Sequence, residues 1–454
     1  VRAAFPCAVT AFALAFPLGA GAARALLVRA PARLGTDLAQ PLPVVTAWGV
    51  YGVSCFATLA AAVALATCAL VAIVASAPSS LVDRPERTRA FALAGAAIAL
   101  AGAALFPFTF SSDPYAYAAY GEMAARGLDP YTLAPALVHG PAIDAARYQW
   151  SGSYPVCVYG PAFVAFSAGI GDLTRAFGVA ATIAAFRSTA AAAFLGSVAL
   201  LDAALAGLAT RRRFALVCAY ALDPVALWSV AEGHNDAFVL LAATAALALA
   251  RRGTWFVAGA LLGLSAIVKA PGAFLAVGFG LGAAVLRRRM RGAAGAAIGL
   301  AVAAAVAIPP SLPAISGAAT HGTYAPSVSL QSLVGLGPAL ALAAATTLYA
   351  LVRIARGDRR GFAWLGLGAV AALPNLYPWY ALWLVPWALV AGRTGASAAL
   401  YGVTICALVR YLPDAAGNMT TETVRFITIG ALAPLVAAPA ALAVLRHQKA
   451  VAES

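Results

Sequence analysis

Asp113 stands directly before Pro114 where an apolar run ends, and Tyr115, Tyr117 and Tyr120 follow at spacings compatible with a helix. A carboxylate held there is placed to take a proton from an incoming hydroxyl. The same residues also spell an aspartate N-cap followed by proline at N1, which is ordinary helix initiation. The two readings are compatible, since a cap would fix the carboxylate in space. Asp129-Pro130-Tyr131 repeats the pattern after Gly127 and reads first as a turn and cap. Glu122, further along from Asp113, could hold a metal or an acceptor, although its spacing demands neither.

The run Glu232-Gly233-His234-Asn235-Asp236 places four polar groups in five residues between two apolar stretches. A cap needs one of them; the excess points to a binding site in which His234 meets a phosphate oxygen or a sugar hydroxyl. No second His or Cys lies at ligand spacing, which argues against zinc. Lys269, one of two lysines in the chain, precedes Ala270-Pro271-Gly272. It either snorkels to the headgroups or, with Arg187, offers two cations to a phosphate leaving group. Tyr377, Trp379 and Tyr380, with Trp383 and Trp387 beyond them, form either an interfacial aromatic belt or a surface for stacking a sugar ring. Asp223-Pro224 falls within an apolar run, where it is expected to kink the helix and pair internally.

The elements that must position these residues are membrane helices. The chain is 63% hydrophobic and 10% charged, and apolar runs near the ~20 residues needed to cross a bilayer recur throughout. Thirty basic against sixteen acidic residues would point to nucleic acid in a soluble chain. Here the arginines cluster between apolar runs, so positive-inside topology accounts for the charge and no nucleic-acid partner is expected. The first run, Ala3 to Ala23, ends in small residues as a signal peptide does; it is read as a first transmembrane helix because many spans follow. Five of the six cysteines fall in predicted spans and Cys157 in a loop, which gives no disulfide framework. Abundant alanine and arginine point to a GC-rich bacterial genome.

The clusters at Arg84 to Arg89, Arg211 to Arg213, Arg251/Arg252, Arg287 to Arg291 and Arg353 to Arg360, with Arg446/Lys449, are expected to be cytoplasmic. The spans between them predict an all-α polytopic membrane protein of about 13–14 transmembrane helices. It would be a single integral membrane domain over residues 1–454, with a large first outer loop at 111–179. The run from Pro161 to Phe177 breaks the parity of the map if it crosses, and is expected to lie on or re-enter from the outer surface. Asp113, Glu122, Asp129, His234 to Asp236, Lys269, the Tyr377 to Tyr380 turn and Asp414 then all fall on the outer face.

Six motifs in order carry a family resemblance. They are Ser112-Asp113 with Tyr117 and Gly121; Gly127-Leu128-Asp129-Pro130-Tyr131; Tyr159-Gly160-Pro161; Gly233-His234-Asn235-Asp236-Ala237; Val268-Lys269-Ala270-Pro271; and Tyr377-Pro378-Trp379-Tyr380 with Leu382-Trp383 and Pro386. Together they resemble the actinobacterial polyprenol-phosphate-mannose-dependent alpha-1,6-mannosyltransferases, GT-C membrane glycosyltransferases close to family 87. Each motif alone is weak, and their shared order is fairly specific. The loop from Gln149 to Val158 and the chain after about residue 395 match no motif of that family.

The resemblance implies a GT-C-like bundle in a bacterial plasma membrane, with its active site facing outward. It further implies a polyprenyl-phosphate-sugar donor, a glycolipid or lipid-linked glycan acceptor, and inversion at the anomeric carbon. Asp113 would be the catalytic base, and Lys269 and Arg187 would bind the donor phosphate. Tyr117, Glu122, Asp129, His234, Asn235, Asp236, Tyr377, Trp379 and Tyr380 would line the substrate site. No cofactor is required by these residues, and a divalent metal stays open. A related transferase for another lipid-linked sugar fits the same residues. A transporter or lipid-carrier flippase would call for related halves with polar residues near mid-membrane; the chain has no internal repeat, and its polar residues lie at the outer ends of spans.

Overall fold

The computed structural model describes residues 3–27, 50–106, 111, 113–149, 156–321, 328–412 and 420–453; Ser112 and Asp414 lie outside the described residues. The chain is all-α, 83% helical with no strands among the described residues. In chain order the principal helices are α1 (Ala4–Leu27), α2 (Val50–Ser76), α3 (Pro85–Ala104), α4 (Asp113–Ala125), α5 (Pro141–Gln149), α6 (Pro161–Thr174) and α7 (Val179–Ala204). There follow α8 (Thr210–Ala221), α9 (Pro224–Ala231), α10 (Asp236–Arg251), α11 (Trp255–Leu264), α12 (Pro271–Leu281) and α13 (Met290–His321). The last are α14 (Leu336–Ala355), α15 (Gly361–Ala372), α16 (Ala381–Ala391), α17 (Gly395–Cys406), α18 (Thr421–Leu432) and α19 (Pro434–Glu453).

Among the described residues six helices are long and apolar enough to cross a bilayer, or seven if α8 and α9 count as one bent span. Much of the difference from the expected 13–14 lies in five shorter apolar helices of 10–17 residues. Hydropathy reads each as a span, but 3-10 or π turns, glycines and prolines divide or shorten them. Such breaks at membrane depth are tolerated where other helices surround the freed backbone groups. The bend between α8 and α9 is 41° and falls at Asp223-Pro224. There Asp223 Oδ1 accepts the Ala226 N–H at 2.8 Å and starts α9. Helix α6, at 14 residues, is too short to span and packs on α4 and α7.

Apolar side chains gain little by leaving lipid for protein, so close backbone approach has to supply the packing. Alanine and glycine faces provide it, as where Gly259 and Gly263 of α11 lie against the backbone of α13. Three apolar clusters result. One joins α1 to α3 with α7 to α10 and the Trp379 turn, a second joins α10 to α12 with α14 to α18, and a third holds α4 to α6 against the start of α7.

Two of the arginine clusters meet at one end of the bundle. Asp202, fully buried at the end of α7, accepts from Arg89 Nε and Arg213 Nε at 2.7 Å each. Arg211 donates to the carbonyls of Val74, Ala75 and Ala77 at 2.7–2.9 Å, opposite the negative end of the α2 dipole. The start of α7, the end of α9 and the start of α10 therefore lie at the other end, and there the polar residues collect.

Candidate functional site

Helix α4 begins at Asp113 itself, and Ser111 Oγ accepts the Asp113 N–H at 3.3 Å. The carboxylate turns toward the turn between α9 and α10. Its Oδ2 accepts from Tyr117 Oη at 3.3 Å and lies 3.4 Å from His234 Nδ1, with a side chain 15% exposed. Tyr117 reaches both sides of the site, since its hydroxyl is also 3.3 Å from Asn235 Oδ1. The Tyr117 ring is held edge-on by Tyr159, Phe163 and Phe186. Burial, with the charges of Asp113 and Asp236 beside it, pushes this phenol well above its ordinary range, so it remains a donor.

The turn carrying His234 to Asp236 depends on Gly233. Its φ is +93°, and an added Cβ would stand 3.2 Å from Arg187 Cγ and 3.3 Å from Pro114 Cγ; a side chain there meets both backbone strain and packing. Arg187 fixes the turn from α7 by donating Nε to the Ala231 carbonyl. Asn235 occupies the N-cap position of α10 without a side-chain cap bond, so the polar groups of this turn are not consumed in starting a helix. His234, Asn235 and Asp236 are at most 1% exposed. His234 Nδ1 faces Asp113, but His234 Nε2, Asn235 Nδ2 and Asp236 Oδ1 lack a hydrogen-bond partner within the described protein. Buried polar atoms left in this way are costly, and three of them gathered in one turn mark a place built to receive a polar ligand.

Lys269 closes the site from the α11–α12 break. Its Nζ lies 2.6 Å from Asp236 Oδ2 and 5.9 Å from the Tyr159 ring centroid. A backbone bond sets this approach: Gly160 N–H donates to Val268 O at 3.1 Å. A Cβ on Gly160 would run into the Ile267 carbonyl. Burial works to raise the Asp113 carboxyl, but His234 and the Lys269 charge outweigh it and hold the group below its ordinary range. Glu232 behaves oppositely. It is buried, accepts the Ser111 N–H at 3.3 Å, and is pushed up to about 8 by that burial, only partly offset by Arg187.

The aromatic turn forms the remaining wall. His234 stacks on Trp379 with ring centroids 4.1 Å apart, Trp379 stacks on Tyr377 at 4.2 Å, and the Arg410 guanidinium lies 5.0 Å from the Tyr377 centroid. Tyr380 meets Tyr377 edge-on. Asp113, Tyr117, Arg187, His234, Asn235, Asp236, Lys269, Tyr377, Trp379 and Tyr380 thus come together.

Glu122 and Asp129 serve elsewhere. Glu122 Oε2 accepts the N–H groups of Ala142 and Ile143 at 2.8 and 3.2 Å, capping α5. Asp129 accepts from Tyr131 N–H and Thr132 Oγ1 at 2.9 Å each, closing its own turn. The sequence assigns no individual role to Tyr159, Ser111, Glu232 or Arg410. For Tyr159 the signal was present, in the motif it shares with Gly160-Pro161. Among the described residues no three His, Cys, Asp or Glu side chains converge as a metal would require.

The arrangement offers an ionised carboxylate shielded from water, hydroxyl and imidazole groups around it, and a cation beside it. This is suited to deprotonating a hydroxyl while stabilising negative charge that develops nearby. A family model described as Alpha-(1->6)-mannopyranosyltransferase, N-terminal domain, matches residues 12–287. No curated protein and no solved structure matches the chain. The matched region is more than half of the chain and contains Asp113, Arg187, the His234 to Asp236 turn and Lys269, so the chain belongs to the MptA_B family of alpha-(1->6)-mannopyranosyltransferases.

Proposed function

We propose that the protein moves a mannosyl residue from polyprenyl-phosphate-mannose to a lipid-linked glycan acceptor on the extracytoplasmic side of a bacterial plasma membrane, in the manner of a GT-C transferase. The acceptor hydroxyl oxygen bonds to the anomeric carbon as Asp113 takes its proton. The bond from that carbon to the phosphate oxygen breaks, and the polyprenyl phosphate leaves with the electron pair. A single displacement inverts the centre, so a β-linked donor gives an α-1,6 product. Lys269 has three N–H donors, of which Asp236 engages one; the others are available to the leaving phosphate, with Arg187 adding positive charge. His234, Asn235, Tyr377, Trp379 and Tyr380 line the sugar-binding part, while Glu122 and Asp129 shape the outer loop, 111–179, of a single membrane unit.

The observation that carries this reading is the meeting of Asp113, His234 and the Lys269–Asp236 pair at the end of the bundle away from the buried Asp202–arginine network. Positive-inside topology supports reading that end as the outer one. The test is transfer of radiolabel from polyprenyl-phosphate-mannose to membrane acceptors by wild type and Asp113→Asn. Loss of transfer in the folded variant is expected, and undiminished transfer removes Asp113 as the base. Activity restricted to another lipid-linked sugar overturns the choice of mannose donor alone.

A further inference from the structure

A cavity of about 640 Å³ lies among α14, α15, α17, α18 and α19, with arginines at one of its ends. Helix α14 packs on α15, α15 on α17 and α17 on α19, so α15 and α17 form a floor and α14 and α19 the walls. Along α14 the lining runs through Leu342, Thr346 and Arg353, and along α15 through Trp364 and Leu367. At 1.5 Å per residue the α14 stripe is about 16 Å long. It is cationic at one end, at Arg353, and uncharged along the rest. Arg353 at the end of α14, Arg360 before α15 and Arg393 before α17 all reach the polar end, beside Thr394, which caps α17. The opposite wall is apolar, with Leu435 and Pro439 of α19. Leu342, itself on the lining, is 51% exposed, and Val436 of α19 is 77% exposed, so both walls continue into surface suited to lipid.

The charge at the polar end is unbalanced. Residues 353–393 hold Arg353, Arg356, Arg359, Arg360 and Arg393 against one carboxylate, Asp358. That carboxylate is engaged by Arg353, whose Nε lies 2.9 Å from Asp358 Oδ2 and whose Nη1 donates to Tyr349 Oη at 2.6 Å. A groove with a cationic end and an apolar channel about as long as an acyl chain complements an amphiphile with an anionic head. We propose that it binds an anionic phospholipid, with its phosphodiester among Arg353, Arg360 and Arg393 and an acyl chain between α14 and α19. Guanidinium groups suit this head because they donate to phosphate oxygens in pairs, and the arginine end places it in the inner leaflet.

The full chain, stripped of lipid in detergent, is titrated with dioleoyl phosphatidylglycerol and with dioleoyl phosphatidylcholine, and bound copies are counted by native mass spectrometry. The anionic lipid is expected to bind about tenfold more tightly. The double variant Arg360→Gln/Arg393→Gln is expected to erase that preference, and Arg212→Gln, outside the groove, to keep it. Thr346→Trp, which fills the channel and leaves the arginines intact, is expected to weaken binding of the anionic lipid. Equal binding of the two lipids in wild type overturns the proposal. So does a preference that survives the double arginine variant, unchanged binding by Thr346→Trp, or displacement of the lipid by equimolar glycerol phosphate.

Discussion

Lys269 and Asp236, 33 residues apart in sequence, meet with Nζ 2.6 Å from Oδ2. Asp236 is 1% exposed and Lys269 14%, so removing one partner strands the other charge away from water. Lys269→Met is expected to cost about 3 kcal/mol of stability, read by denaturant melts in micelles. The double variant Lys269→Met/Asp236→Leu should regain most of that stability and none of the transfer activity. Recovery of activity in the double variant would mean that the lysine serves the fold alone.

For Asp113→Asn the expected change is in catalysis. Loss of a general base lowers the transfer rate by about 10²–10⁴-fold, while loss of the charge beside His234 and Lys269 lowers the melting temperature without unfolding the protein. Because His234 and Lys269 hold this carboxyl below its ordinary range, wild-type transfer should retain its base well into mildly acidic pH. The Asp113 contribution to stability is present above the unfolded value of about 3.9 and is lost as pH falls through the lower folded value. A rate that declines with a midpoint near neutrality would point to another group as the base.

Glu232 gives a pH dependence of opposite sign. Its folded value of about 8 lies above the unfolded value of about 4.3. Between the two the native state keeps a proton that the unfolded chain has released, so stability falls as pH rises across this window. Glu232→Gln should flatten the melting temperature against pH across the window and make the protein the more stable form above it. A variant that follows the wild-type curve would show that the carboxyl carries no such proton.

Gly233→Ala places a side chain at a φ of +93° between Arg187 and Pro114. Strain at such a position costs about 1–3 kcal/mol, and the displaced turn should also lower kcat. Equal melting temperature and rate would show that the turn relaxes freely.

At the other end, Asp202→Asn leaves the nearly buried Arg213 without its anion. The loss should be about 3 kcal/mol in stability, with transfer per folded molecule unchanged. A large fall in specific rate would couple that end to the site.

What could be seen in the sequence follows from contrast. In a chain this apolar, Asp113, the His234 to Asp236 turn and Lys269 stand out because the bilayer penalises such residues unless a site requires them. Their convergence was legible because each falls at the same end of a span. Glu122 has the same chemistry, yet the N–H it caps belongs to Ala142, twenty residues on, a contact no local spacing encodes. Asp202 drew no notice, since one of its arginines lies 113 residues away. Hydropathy averages across the short breaks that divide the apolar runs, so the sequence does not reveal which of them are single long helices and which are shorter pieces.

Cys157 N–H donates to Pro130 O at 2.7 Å, and Tyr131 Oη donates to Tyr159 O at 2.8 Å. These two bonds tie off the neck of the excursion between Pro130 and Cys157 just before Gly160 docks on Val268. The neck separates the Gly160–Val268 contact from the excursion, while α5 within it stays fixed to α4 through the Glu122 cap. A doubling of such a loop costs only about 0.6 kcal/mol in closure entropy. Descendants of this chain can thus alter the excursion outside α5 while keeping the approach of Gly160 to Val268.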